Sequence, residues 1–122
     1  MDNEVFKDAA LTLELSEELA AIRVAWSGRS TAREPGKFIV RVLMQAMELS
    51  TVHRKPLELD FQRIDYMNSS TITPIIRLLD QAKRAASKVS VIYNKNLKWQ
   101  ELNFTALQVF QTSDGRIEVR GV

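Results

Sequence analysis

Residues 57–86 read LELDFQRIDYMNSSTITPIIRLLDQAKRAA. Over residues 57–61 apolar side chains alternate with acidic ones, which is the two-residue period of a strand with one buried face. From Ile72 to Ala86 apolar residues recur at helical spacing while charged residues fill the opposite side, which predicts an amphipathic helix. A buried strand followed closely by such a helix is typical of α/β folds.

The segments on either side continue this alternation. Their apolar patterns and turn residues predict a hairpin of strands 11–15 and 19–26, a helix over 36–51, a strand over 88–93, a helix over 97–107 and a hairpin over 107–120. Strands and helices that alternate along a chain are most simply accommodated in a mixed sheet with parallel neighbours and with helices packed against it. We therefore predict an α/β fold.

The length and composition fit a single domain over residues 1–122. The 122 residues are 45% hydrophobic, which is enough for one closed core, expected over about 11–110. A formal net charge of +2, with Lys and Arg scattered along the chain, argues against a nucleic-acid interface. The sequence has no cysteine, so disulfides, thiolate nucleophiles and cysteine-based zinc sites are excluded.

Other features argue against a membrane protein and against an enzyme. The N-terminal residues lack the pattern of a signal peptide, and no apolar run approaches the ~20 residues of a membrane-spanning helix, so we expect a cytoplasmic protein. His53 is the only histidine, and Asp60 and Asp65 have no matching base or nucleophile. The four glycines form no phosphate-binding motif. We expect no metal, no cofactor and no catalytic site.

The segment 63–74 is the candidate functional site, because partners of α/β sheets meet the loops at the carboxyl ends of strands. Ser70 is expected to cap the helix, and Pro74 places the start of the helix near Ser70 or Thr71. Ser69 would then lie just outside the helix, where a phosphate would meet free N–H groups and the positive end of the helix dipole. On spacing alone, an ordinary loop and helix cap is the simpler interpretation.

The order and spacing of four stretches over about 11–110 resemble the STAS domain of anti-sigma-factor antagonists. These stretches are 57–61, 66–70, the helix with Leu78-Leu79 and Lys83-Arg84, and 89–92. The family signature is an apolar residue, Asp, Ser, Ser and Gly at the start of this helix, and the Ser after the Asp is phosphorylated. The resemblance implies a STAS-like fold with Ser69 as the phosphorylation site and Ser70 as a secondary candidate.

Two positions depart from that signature, since Asn68 replaces the Asp and Thr71 replaces the Gly. A second, shorter resemblance is to the Sia-type regulatory phosphoproteins, a STAS-like branch with Asn before its phosphorylated hydroxyl residue. It is carried by Gly28-Arg29-Ser30, Glu34-Pro35, Phe38, Asn68 and Ser70. This branch implies an unphosphorylated form that binds and activates a diguanylate cyclase, under the control of a kinase and a PP2C-type phosphatase.

The resemblances together imply a phosphorylation-controlled protein-binding switch. Its partner-binding residues would be Met67, Asn68, Ser69, Ser70 and Thr71. Its partners would be a serine kinase or anti-sigma-like ATPase, a PP2C-type phosphatase, and a downstream sigma-regulatory protein or diguanylate cyclase. ATP would be a substrate of the kinase and not a ligand of this chain.

Alternative interpretations remain open. A constitutive STAS adaptor, for example a subunit of an ABC transporter or a scaffold, would use the same surface without phosphorylation, and Asn68 and Thr71 favour it. A nucleotide-binding or small-molecule-binding domain would need a pocket that the sequence does not indicate. Exposed hairpin edges leave a homodimer open. Met44 is expected to fill a gap in the core, and Trp99 to be a packing residue, with an exposed anchor for a partner as the alternative for Trp99.

Overall fold

A six-stranded sheet and three α-helices make up residues 3–122, the part of the chain that the computed structural model describes. In chain order the elements are β1 (Asn3–Asp8), β2 (Leu11–Glu17), β3 (Ile22–Ser30), α1 (Gly36–His53), β4 (Leu57–Met67), α2 (Ser69–Arg84), β5 (Val89–Tyr93), α3 (Lys98–Thr105), a 3₁₀ helix (Ala106–Phe110) and β6 (Ile117–Gly121).

The strands lie side by side in the order in which they occur in the chain. β1, β2 and β3 are antiparallel neighbours, whereas β3, β4, β5 and β6 are parallel neighbours. Each parallel pair needs a crossover connection, and α1, α2 and α3 supply the three crossovers. The predicted α/β fold, a mixed sheet with helices packed against it, is confirmed.

The core is built from apolar side chains at alternate strand positions and from the inner sides of the helices. Three of its largest side chains, Trp26, Phe61 and Phe104, are fully buried and stack in a row, with ring centroids 4.6 Å and 4.7 Å apart. Tilted aromatic pairs of this kind stabilise a core beyond the area they bury. Trp26 comes from β3, Phe61 from β4 and Phe104 from α3, so the row joins two neighbouring parallel strands to a crossover helix.

The other side of β3 and β4 carries an arginine that forms ion pairs with two carboxylates. The Arg23 side chain donates to a carboxylate oxygen of Asp60, and its Nε lies 3.2 Å from the Glu58 carboxylate. Asp60 is therefore buried and paired with the Arg23 guanidinium.

Both ends of the sheet differ from the prediction. β1 was not predicted, because its polar and charged residues are all exposed or half-buried and so leave no burial pattern. The predicted hairpin over 107–120 is wrong, since residues 106–110 form the 3₁₀ helix and β6 pairs with β5 in parallel. Asp114-Gly115 does form a turn, with Gly115 at φ +77°, but this turn joins a helix to a strand.

The predicted N-terminal hairpin is confirmed as β2 and β3, with its turn placed differently. β2 continues to Glu17, and β3 begins at Ile22 rather than at residue 19. Leu19 lies in the turn and is 91% exposed, so its apolar side chain does not belong to the strand.

Gly28 allows the turn between β1 and β2 to pack against β3. It has φ +84°, and a Cβ atom there would overlap the carbonyl oxygen of Ala10. We expect Gly28→Ala to lower the free energy of unfolding by about 3 kcal/mol or more, since a backbone clash adds to the ~1–2 kcal/mol of left-handed strain.

Gly115→Ala is the matched control, because Gly115 has φ +77° but open space where its Cβ would lie. Urea unfolding of both variants measures the difference. Equal losses of stability in the two variants would show that the contact with Ala10 contributes nothing.

Candidate functional site

The segment 63–74 is not the loop that its sequence predicts. β4 continues to Met67 and α2 begins at Ser69, so Asn68 is the one residue between them. The strand is long because β3 continues beside it as far as Ser30, which pairs with Met67. The candidate site therefore lies at a direct junction between a strand and a helix, at the carboxyl end of β4.

Asn68 is the residue that caps α2. Its backbone is extended, and its Oδ1 accepts hydrogen bonds from the backbone N–H of Thr71 (3.1 Å) and from the Thr71 hydroxyl (2.8 Å). The prediction that Ser70 is the cap is wrong, and so is the placement of Ser69 outside the helix, because Ser69 is the first helical residue. Asn and Ser cap helices about equally well, so the sequence did not distinguish between neighbouring candidates.

Asn68 also holds the connection between β3 and α1. Its Nδ2 donates to the carbonyl oxygen of Ala32 at 2.8 Å, and its backbone N–H donates to the carbonyl oxygen of Ser30 at 3.0 Å. The hydroxyl groups of Ser30 and Thr71 share a further hydrogen bond that is fully buried. We call these four residues, Ser30, Ala32, Asn68 and Thr71, the Asn68 network.

The five predicted partner-binding residues differ in how accessible they are. Ser69 and Ser70 are exposed, and Asn68 is half-buried. Met67 is 9% exposed and belongs to the core, and Thr71 is completely buried. Two serine hydroxyls are therefore presented to solvent, while Met67 and Thr71 can act on a partner only by holding this surface in place.

The first turn of α2 is open to chemistry from outside. The early N–H groups of a helix have no partners within the helix, and they concentrate the positive end of its dipole. Pro74 has no N–H to donate to the carbonyl oxygen of Ser70, so this turn lacks one of its usual backbone hydrogen bonds. Ser69 thus lies where an added phosphate would be stabilised.

Basic side chains converge beside this turn. Arg33, Lys37 and Arg77 line a surface depression that also includes Ser70. Among the described residues that line it, Glu34 is the one carboxylate. No spacing along the chain reveals this cluster, because Arg33 precedes α1, Lys37 lies in the first turn of α1 and Arg77 lies on α2.

The remaining candidates from the sequence, His53 and Trp99, lie in an ion pair and against the core, respectively. His53 is exposed, and its Nδ1 lies 2.7 Å from the Glu17 carboxylate. Hydrogen bonds from Lys55 and then from His53 hold the pKa of Glu17 below its ordinary value. Trp99 is half-buried and packs against the core.

Within residues 3–122 no three His, Cys, Asp or Glu side chains lie together as metal ligands would, and no described helix is long and apolar enough to cross a membrane.

The buried hydroxyl pair of the Asn68 network is testable by a double-mutant cycle. Thr71→Val keeps the side-chain shape but leaves the Ser30 hydroxyl buried without a partner, which should lower the free energy of unfolding by about 1–3 kcal/mol. In the double variant Ser30→Ala/Thr71→Val both hydroxyls are gone, so we expect it to lose about 1 kcal/mol less than the sum of the single variants.

Urea unfolding of the wild type, both single variants and the double variant completes this cycle. Strictly additive losses would mean that the two hydroxyls do not interact, and that the junction is held by Asn68 alone.

Comparisons with known proteins identify a related fold. The sequence matches no protein-family model and no curated protein. Among solved structures, this chain is similar to the activator SiaC in the crystal structure of the diguanylate cyclase SiaD in complex with SiaC from Pseudomonas aeruginosa. The two chains are 21% identical, the TM-score is 0.66, and the match covers 96% of this chain and 99% of that chain. The likeness establishes that the two proteins share a fold.

Proposed function

We propose that this chain is a non-catalytic regulator that binds a signalling enzyme and is released from it when Ser69 is phosphorylated. The observation that carries the proposal is the position of Ser69, which is exposed at the first residue of α2 while Asn68 and Thr71 beside it are fixed by hydrogen bonds. The structural similarity to SiaC, a protein that activates a diguanylate cyclase, supports a diguanylate cyclase as the enzyme that is bound.

The folded chain can accept the phosphate without losing its structure. In the reaction, the Ser69 Oγ attacks the γ-phosphorus of ATP on a kinase, loses its proton to a kinase base, and ADP leaves. The product carries close to two negative charges beside the N–H groups of the first helical turn, which stabilise it. The cost therefore falls on the partner, whose contact surface would meet a new, strongly hydrated charge.

The other proteins of the switch follow from this chemistry. A serine kinase or anti-sigma-like ATPase would add the phosphate, and a PP2C-type phosphatase would remove it. A sigma-regulatory protein is the second candidate for the downstream target. The STAS resemblance supports it, while the structural comparison supports the cyclase.

A constitutive adaptor is the second candidate function. Asn68 and Thr71, which replace the Asp and Gly of the STAS signature, both have structural roles in the Asn68 network. These structural roles account for Asn68 and Thr71 without any kinase. An adaptor would use the same exposed surface in one permanent state.

Substitutions at Ser69 test the switch. With a purified diguanylate cyclase encoded in the same genome, we expect wild type and Ser69→Ala to bind equally and to stimulate cyclic di-GMP synthesis. Ser69→Glu should bind at least about tenfold more weakly, because it places a carboxylate in the contact surface. Calorimetric titration measures binding, and product formation measures activation.

Ser113→Glu is the matched control, since Ser113 is an exposed serine in the turn before β6, outside the Asn68 network. Intact mass and peptide mapping after incubation with ATP and a serine kinase encoded beside the gene for this chain should show one phosphate on Ser69. An active kinase that leaves this chain unmodified, together with normal binding by Ser69→Glu, would reject the switch and favour the adaptor.

A further inference from the structure

A groove between α1 and α2 leaves apolar side chains uncovered. Its floor is formed by Val40, Leu43, Met44, Met47, Pro74 and Leu78. Met44 is 67% exposed and Val40 is 37% exposed, so the prediction that Met44 fills a gap in the core is wrong. Exposed apolar patches with a polar border commonly mark interaction sites. We call this surface the α1–α2 groove.

The rim of the α1–α2 groove is basic. Arg33, Lys37, Arg41 and Arg77 line it together with a single carboxylate, that of Glu34. Among the residues that the structure describes, none of these four cations is paired with a carboxylate. The first turns of α1 and α2 border the same end of the groove, and their helix dipoles add to its positive potential.

We propose that the α1–α2 groove binds an amphipathic helix of the signalling partner, with the apolar side of that helix on the floor and its acidic residues against the basic rim. A channel between two helices suits a third helix, whose residues at i, i+3, i+4 and i+7 provide a matching apolar stripe. Methionine on the floor suits this role because it adapts to the shape of a partner. The inference rests on the proposed function only for the identity of the partner.

Three other occupants fit this groove less well. Its apolar part, of about 290 Å³, is at the small end of small-molecule pockets (~300–1,000 Å³), and among the described residues only Arg77 and Gln81 are polar there. Its basic end is larger, about 960 Å³, but is a shallow surface depression that would bury little of a small ligand. A second copy of the chain would bring two basic rims together, which like-charge repulsion disfavours. A membrane surface is anionic, but binding to it needs a broad apolar face that can enter the lipid, and of the floor residues only Met44 and Val40 are exposed.

The groove also explains how one phosphate could release a partner. Ser70 lines the basic end of the groove, and Ser69 precedes it. Phosphate at this end would bring close to two negative charges to the cations that an acidic helix needs. It would also repel the acidic residues of that helix directly, so attraction and release would depend on the same charges.

Two synthetic helical peptides test the groove without any partner protein. One carries Leu and Met on one side and Glu on the other, and its twin has Lys in place of every Glu. In NMR titrations of the ¹⁵N-labelled chain, we expect the acidic peptide to shift the amide signals of residues 37–47 and 70–81 saturably, and to bind more weakly as NaCl is raised. The basic twin should not bind.

Variants of the groove sharpen this test. Met44→Glu and Arg41→Glu should each weaken binding of the acidic peptide by at least about tenfold. Leu102→Glu, at a 69% exposed position of α3, is the matched control for Met44, and Lys83→Glu, at an exposed position of α2 that does not line the groove, is the control for Arg41. Both controls should bind like the wild type.

The inference is overturned if the acidic peptide causes no saturable shifts, if it shifts amides elsewhere, or if the basic twin binds as well. It is also overturned if phosphatidylglycerol vesicles shift the groove amides and the acidic peptide does not. The peptide test contains neither a cyclase nor a kinase, so it is independent of the proposed function. If the chain binds the acidic peptide but no cyclase, the proposed function is rejected and the inference about the groove is retained.

Discussion

The side-chain amide of Asn68 is the contact on which the candidate site depends. Its oxygen accepts from Thr71 and fixes the start of α2, and its nitrogen donates to Ala32 and fixes the chain that enters α1. A carboxylate here could cap the helix, but it has no N–H to offer the Ala32 carbonyl. Asn68 therefore links the first turn of α2 to the segment that leads from β3 into α1.

Parallel pairing of β3 and β4 gives that link its importance. The two strands end together, with Ser30 beside Met67, so α1 and α2 begin at the same edge of the sheet. Two helix N-termini and the side chains of Arg33 and Lys37 then make this corner of the molecule electropositive. A phosphate on Ser69, as proposed, would bring close to two negative charges to this electropositive corner and would offset part of its charge.

The sequence predicted those parts of the fold that bury one side of an element. The period of residues 57–61 and of the helix that follows comes from contact with the core, and the structure confirms both. β1 escaped prediction because an exposed edge strand has no such period. The prediction of a C-terminal hairpin is wrong for a different reason. Asp114-Gly115 specifies a turn, but the strand that follows this turn pairs with β5, and no local sequence pattern reveals that tertiary contact.

The candidate site was predictable in place but not in detail. The junction after β4 followed from the position of a polar run between a strand and a helix. The identity of the capping residue did not follow from the sequence, because Asn68 and Ser70 are both good capping residues. The choice between them depends on the Thr71 side chain and on the pairing with β3 that extends β4. The basic rim of the groove could not be predicted from the sequence, since Arg33 and Arg77 come to line one surface only when the chain has folded.

Asn68 and Thr71, the two departures from the STAS signature, have structural roles that explain their presence. Thr71 is completely buried, and its hydroxyl binds both Ser30 and Asn68, so a Gly there would remove contacts that hold the junction. These two residues meet a structural requirement, so their presence does not by itself argue against a kinase. Ser69, Ser70 and the basic groove beside them are exposed, and they are what a kinase or a partner would contact. Both candidate functions use this surface, and the chemistry of the Ser69 hydroxyl is what separates the switch from the adaptor.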